Sequence, residues 1–332
     1  MLTWPVFVHA LLLLFLQRGS AQDGLFLKPG SEYPFYIYTS GDSIRSWDAG
    51  SKKVTTIAEC PSMHELSISS QGLIGFSQTV PGKIDPGGNS GTQLVVMKLD
   101  GHVLRTLEPE RTIRSLVWSP DGSKVAFVTG LADEKLYDTY EKAETFIYDV
   151  SQGKVCKIFH GGARVYWAAF DGNLYIYDRR SDPVVHCYVP ITEKIQATEY
   201  KDIHFSPDGK HYYIRPRDVS EGLPLYVSKT NDAVASLTVS NVSPIALARL
   251  EPRQWFDNDW IICIIQTGSS DFYGLPMYLL NVRSGEIRKA HHHIVSPYTA
   301  DSVVLRLSSE SLLLEKISEM SVVSPEDLPL PG

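Results

Sequence analysis

Short runs of alternating apolar and polar residues, each closed by a turn signal, fill most of the chain and predict strands rather than helices. The pattern is sharpest in residues 113–128 and 201–214. In both, an alternating run ends on an aromatic residue (Trp118 or Phe205), Ser-Pro-Asp-Gly turns the chain, and a second alternating run leaves. The turn has a plain physical basis. Proline presets φ at about −65°, Asp accepts local backbone hydrogen bonds, and Gly takes the position that needs φ > 0.

Degenerate copies of this first hairpin lie at 65–76, 165–176, 254–263 and 302–314, which makes six. A second kind of hairpin follows each of the first five, turning at Asp100-Gly101, Gln152-Gly153, Glu193-Lys194, Asn231-Asp232 and Ser284-Gly285. A further second hairpin, at Asp48-Ala49-Gly50, has no first hairpin before it, and 302–314 has no second hairpin after it. Joining these two orphans predicts an all-β, six-bladed β-propeller over residues 22–316, with four-stranded antiparallel blades. The ring would close by pairing 302–314 with 35–58, which leaves no open sheet edge. Seven blades are the alternative.

The Ser-Pro-Asp-Gly turn, followed by a strand and a hairpin such as Phe146–Val155, resembles the TolB-type propeller repeat. The propellers of prolyl oligopeptidase and dipeptidyl peptidase relatives carry the same repeat. The resemblance implies an architecture and is nearly silent on function.

The two ends read differently. Val6–Leu16 is an apolar run followed by Gln17-Arg18-Gly19-Ser20-Ala21, the pattern of a signal peptide over residues 1–21. The run is shorter than the roughly 20 apolar residues a membrane span needs, so no stable membrane insertion is expected after cleavage. A secreted or periplasmic location follows. Residues 317–332, with Pro325, Pro329 and Pro331, read as a flexible tail.

Composition changes the picture in two respects. A net charge of −7 without a dense Lys/Arg cluster argues against nucleic acid as a partner. Four cysteines, Cys60, Cys156, Cys187 and Cys263, follow the signal segment with no CxxC spacing. Cys156 and Cys187, on neighbouring repeats, are the candidate disulfide; buried free thiols are the competing reading.

Blade topology sends the tight turns to one end and the long loops, with the blade-to-blade connections, to the other. Loops on a rigid scaffold concentrate binding function, so the long-loop end is the expected functional face. Tyr137 and Tyr140, in the acidic stretch Asp133–Glu144, are candidate amphipathic contacts, with Asp271 and Tyr273 on another long loop. His64 and His160 occupy equivalent connections and join the binding candidates. His291, His292 and His293 are candidate ligands for a metal ion such as Zn or Mn. Neither a Gly-x-Ser-x-Gly elbow nor a phosphate-binding Gly-x-x-x-x-Gly-Lys run occurs. The expected function is a non-catalytic scaffold that binds a protein, peptide or glycan and needs no cofactor. The alternative is a metal-assisted polysaccharide lyase or hydrolase.

Overall fold

The computed structural model describes residues 24–26, 35–40, 42–48, 51–86, 88, 90–130, 143–168, 170–178, 184–198, 203–206, 211–214, 225–227, 242–255, 259–265, 277–291, 293–299, 302–306 and 312–329. They fall in two compact units, residues 1–201 and 202–332.

The first unit holds four antiparallel, four-stranded sheets in chain order. The first comprises β1 (Gly24–Phe26), β2 (Phe35–Ser40), β3 (Ser43–Asp48) and β4 (Lys53–Glu59). The second comprises β5 (Met63–Ile68), β6 (Leu73–Ile84), β7 (Ser90–Lys98) and β8 (Val103–Leu107). The third comprises β9 (Thr112–Trp118), β10 (Lys124–Gly130), β11 (Glu144–Asp149) and β12 (Lys154–His160). The fourth comprises β13 (Arg164–Trp167), β14 (Leu174–Asp178), β15 (Val184–Val189) and β16 (Lys194–Ala197). The opening strands lie side by side, β1 against β5, β5 against β9 and β9 against β13.

In the second and third sheets both faces of the inner strands are apolar because each lies between two neighbours. Ile37 and Ile44 of the first sheet pack with Leu66, Ile74, Phe76, Val95 and Met97 of the second. Leu94 and Val96, on the second sheet's other face, meet Ile113, Leu116, Trp118 and Phe127 of the third. Val117, Ala126 and Val128 then meet Val165, Trp167, Leu174 and Ile176 of the fourth. The outer strands β4, β8, β12 and β16 are mostly exposed, although they carry apolar residues such as Val103, Leu104, Val155 and Ile195.

The Ser-Pro-Asp-Gly turn fastens neighbouring blades together. Asp121 accepts from the Ser119 and Ser123 hydroxyls, Gly122 takes φ +69°, and its amide donates to the Ser119 carbonyl at 2.8 Å. From the previous blade, Ser70 Oγ donates to Pro120 O at 2.9 Å, and Gln71 Nε2 donates to Asp121 O at 2.8 Å. The hydroxyl bonds, the Ser123 amide and Lys124 hold the Asp121 carboxyl below its ordinary value, although burial alone would raise it.

The second unit contains β17 (Ile203–Phe205), β18 (His211–Ile214) and β19 (Leu225–Val227) in one sheet. A second sheet has β20 (Glu251–Trp255), β21 (Trp260–Ile264), β22 (Met277–Asn281), β23 (Ile287–Lys289) and β27 (Ser321–Val322). A third has β24 (His293–Thr299), β25 (Ser302–Arg306) and β26 (Leu312–Lys316). One short helix, Pro244–Arg249, is capped by Ser243, whose side chain accepts from the Ile245 amide.

Four expectations are corrected. Among the described residues, five sheets have four strands or more and two have three, in place of six four-stranded blades. The expected closure of 302–314 onto 35–58 is not the pairing formed. Gly24–Phe26 takes the place beside β2, with Leu25 opposite Tyr36, while β25 pairs with β24 and β26. The tail is docked rather than flexible at Ile317, Met320 and Leu328, which are buried because β27 pairs with β23. The Cys156–Cys187 bridge is also absent. All four thiols are free; Cys156 is exposed on an outer strand, whereas Cys187 is buried.

Candidate functional site

A groove of about 500 Å³ lies in the first unit, bordered by the β8–β9 connection and one end of β10, β11 and β12. Strand register builds it. Across this sheet, Phe127 is paired with Phe146 and Phe146 with Lys157, while Thr129 is paired with Glu144 and Glu144 with His160. Side chains two apart on a strand share a face, so these two rows project from the same side. A bulge at Thr145/Phe146 shifts the β12 register by one residue.

The floor is aromatic. The Phe127 and Phe146 rings stack with centroids 5.3 Å apart, and Leu107 and Val155 extend the apolar lining. Val155 is 40% exposed, so part of this lining faces solvent. The wall is charged. The Glu144 carboxylate lies 3.0 Å from Lys157 Nζ, 3.6 Å from His160 Nδ1 and 3.8 Å from Arg111 Nη1. Glu108 and Glu110 also line the groove, so the wall carries both signs of charge, three carboxylates against the Arg111 and Lys157 cations.

The β6–β7 hairpin, which continues to a tip near Asp85, braces the β8–β9 connection. Lys83 Nζ donates to Pro109 O at 3.0 Å and lies 3.6 Å from Glu108. Its aliphatic stem runs over Gly91, where an added Cβ would come within 2.6 Å of Lys83 Cγ. Thr112 Oγ1 donates to buried Asp85 at 3.0 Å and anchors the hairpin tip to β9.

The sequence candidates fare unevenly. His160 does not line the groove, but its exposed ring lies 3.6 Å from Glu144, which does. His64 lies on another blade, hydrogen-bonded to Thr79 at 2.7 Å. The stretch bearing Tyr137 and Tyr140 leaves β10 at Gly130 and re-enters the described chain at Ala143, beside the groove; both tyrosines lie outside the described residues, as do Asp271, Tyr273 and His292. His291 Nδ1 is hydrogen-bonded to Glu315, and His293 opens β24 opposite Arg306. Among the described residues, no three His, Cys, Asp or Glu side chains gather closely enough to hold a metal ion. Residues 1–21 lie outside the described residues. Among the described residues, no helix is long and apolar enough to cross a membrane.

Sequence reasoning missed Arg111, Phe127, Phe146 and Lys157, and treated Glu144 as the end of an acidic loop. The usable signal was the Glu144-x-Phe146 alternation at the start of a strand whose partner carries Phe127.

No protein-family model matches the chain, and no curated protein is similar to it in sequence. Solved structures are similar in fold. The β-propeller domain of the Trilobed protease from Pyrococcus furiosus, with an open velcro topology, aligns over 96% of this chain and 98% of its own at 16% identity, TM-score 0.54. One of two prolyl endopeptidases studied for inter-domain dynamics aligns over 82% of this chain at 10% identity, TM-score 0.54, and this chain covers 42% of it. TolB from Acinetobacter baumannii aligns over 83% of this chain and 64% of its own at 12% identity, TM-score 0.47. The chain thus spans about two thirds of that TolB and less than half of the endopeptidase. With the sheet order above, the Trilobed protease likeness identifies an all-β propeller of four-stranded antiparallel blades.

Proposed function

We propose that the groove binds an extended segment of a partner protein and that the chain acts as a binding scaffold. The observation that carries this reading is the stacked Phe127–Phe146 floor beside the Glu144–Lys157–Arg111 wall. An apolar side chain of the partner would bury on the rings, and charged groups of the partner would pair with the Lys157 and Arg111 cations or the carboxylates of the wall. Exposed apolar surface rimmed by charges is the usual form of a recognition site. The Val6–Leu16 run and its small-residue sequel support action outside the cytoplasm.

The test is a displayed random-peptide library selected on the wild-type chain. Peptides enriched for an apolar residue near a charged one, binding wild type at least about tenfold better than the double variant Phe146→Ala, Lys157→Glu, support the reading. Peptides that bind both chains equally well, or no enrichment at all, overturn it.

A further inference from the structure

The C-terminal segment straddles the outer edge of the β20–β23 blade in the manner of a bound peptide. β27 runs antiparallel to β23, with Val322 opposite Arg288 and Ser321 opposite Lys289, and the Val323 amide donates to Ile287 O at 2.9 Å. On one face of the sheet, Ile317 and Met320 enter an apolar cluster with Ile262, Leu279 and Ala290. On the other, Leu328 and Val323 join Val242, Ala246 and Leu250 around the short helix.

Two guanidinium groups hold the segment by its carbonyls. Arg288 Nη1 donates to Ile317 O at 2.8 Å and to Met320 O at 3.3 Å. Arg249 Nη1 donates to Glu326 O at 3.1 Å, to Pro325 O at 3.3 Å and to Leu328 O. Backbone pairing supplies affinity, alternate apolar pockets supply selectivity, and charged donors to carbonyls fix register; these are the parts of a strand-addition site.

We propose that this blade edge is a peptide-docking site that the chain occupies with its own residues 317–328, and that it accepts a partner's extended segment of the same chemistry once the tail lifts. The fitting partner has apolar residues three apart ahead of a short strand, as Ile317 and Met320 precede β27, then a further apolar residue past a proline turn, as Leu328 does. The paired stretch is only two residues long, so the strap can open without unfolding the blade behind it. A free outer edge would also invite pairing with other strands, which the tail prevents. The site belongs to residues 202–332 and stands independently of the groove.

The test uses full-length chain and a fluorescent peptide of residues 317–332. The variant Met320→Asp, Leu328→Asp should release its own tail and bind the peptide saturably, while wild type, with the site filled, should bind at least about tenfold more weakly. Adding Arg288→Ala to the released variant should weaken peptide binding by about tenfold or more. A released variant that keeps its strand circular dichroism but fails to bind the peptide overturns the proposal. Hydrogen exchange on the wild-type chain gives a second measurement, which does not depend on the variant folding. The Val323 amide should exchange well ahead of the β21 amides, and exchange only together with them would overturn the proposal.

Discussion

The indole Nε1 of Trp118 donates to the backbone carbonyl of Ser67 at 3.0 Å, tying the opening strand of one blade to that of the next. Trp118 is 1% exposed and closes the first strand of the clearest repeat. Gly75 makes room for it, since a Cβ there would lie 3.2 Å from Nε1. One residue thus fills an inter-blade core and satisfies a carbonyl inside it.

Removing the indole bond while keeping an aromatic ring isolates the second role. Trp118→Phe is expected to cost about 1–3 kcal/mol, since Ser67 O loses its donor inside the core. Trp118→Ala is expected to cost about 3–5 kcal/mol through the cavity it leaves. Chemical denaturation followed by circular dichroism measures both, and Gly75→Ala should also destabilise by crowding the ring.

The repeat hairpins were legible because their turns are local chemistry. Proline, Asp and Gly at fixed offsets define a turn whatever the rest of the chain does, and all six first hairpins form antiparallel pairs. Closure was not legible, because strand partners are chosen by non-local packing. The three residues of β1 are too short to show an alternation, yet they take the place beside β2 that the sequence reading gave to 302–314. The tail was misjudged for a related reason. Its prolines dominate the composition, whereas Ile317, Met320 and Leu328 reveal their role only against β21, β22 and the short helix. The groove lies at the long-loop end, the face on which the sequence reading expected binding. The groove residues themselves depend on cross-strand register and a bulge, neither of which a single sequence displays.

Glu65, on opening strand β5, makes stability depend on pH in an unusual direction. Burial pushes its carboxyl up to about 7, against the opposing pull of Arg164. Between the ordinary value of 4.5 and about 7, the folded chain therefore binds more protons than the unfolded one. This group's contribution to stability falls as pH rises through that window and is flat above it. Glu65→Gln should match wild type near pH 4 and exceed it by roughly 1–2 kcal/mol at pH 8. Denaturation midpoints at the two pH values measure the difference.

Asp149 works in the opposite sense at the turn between β11 and β12. Its carboxylate lies 2.6 Å from Lys124 Nζ and accepts from the Ser151 hydroxyl and the Gln152 amide. Burial alone would raise its pKa, but these hydrogen bonds and the Lys124 charge hold it well below the ordinary 3.8. The unfolded chain therefore takes up this proton first on acidification. The stabilisation is complete at neutral pH and is lost as pH falls below about 4 towards the folded value. Asp149→Asn keeps the shape and removes the charge, so it should cost roughly 1–2 kcal/mol at pH 7. The gap between variant and wild type should shrink steadily as the pH is lowered from about 4 towards 2, as denaturation at stepped pH would measure. A gap that stayed constant across that range would mean that Asn loses geometry at the turn, and that the ion pair with Lys124 contributes little.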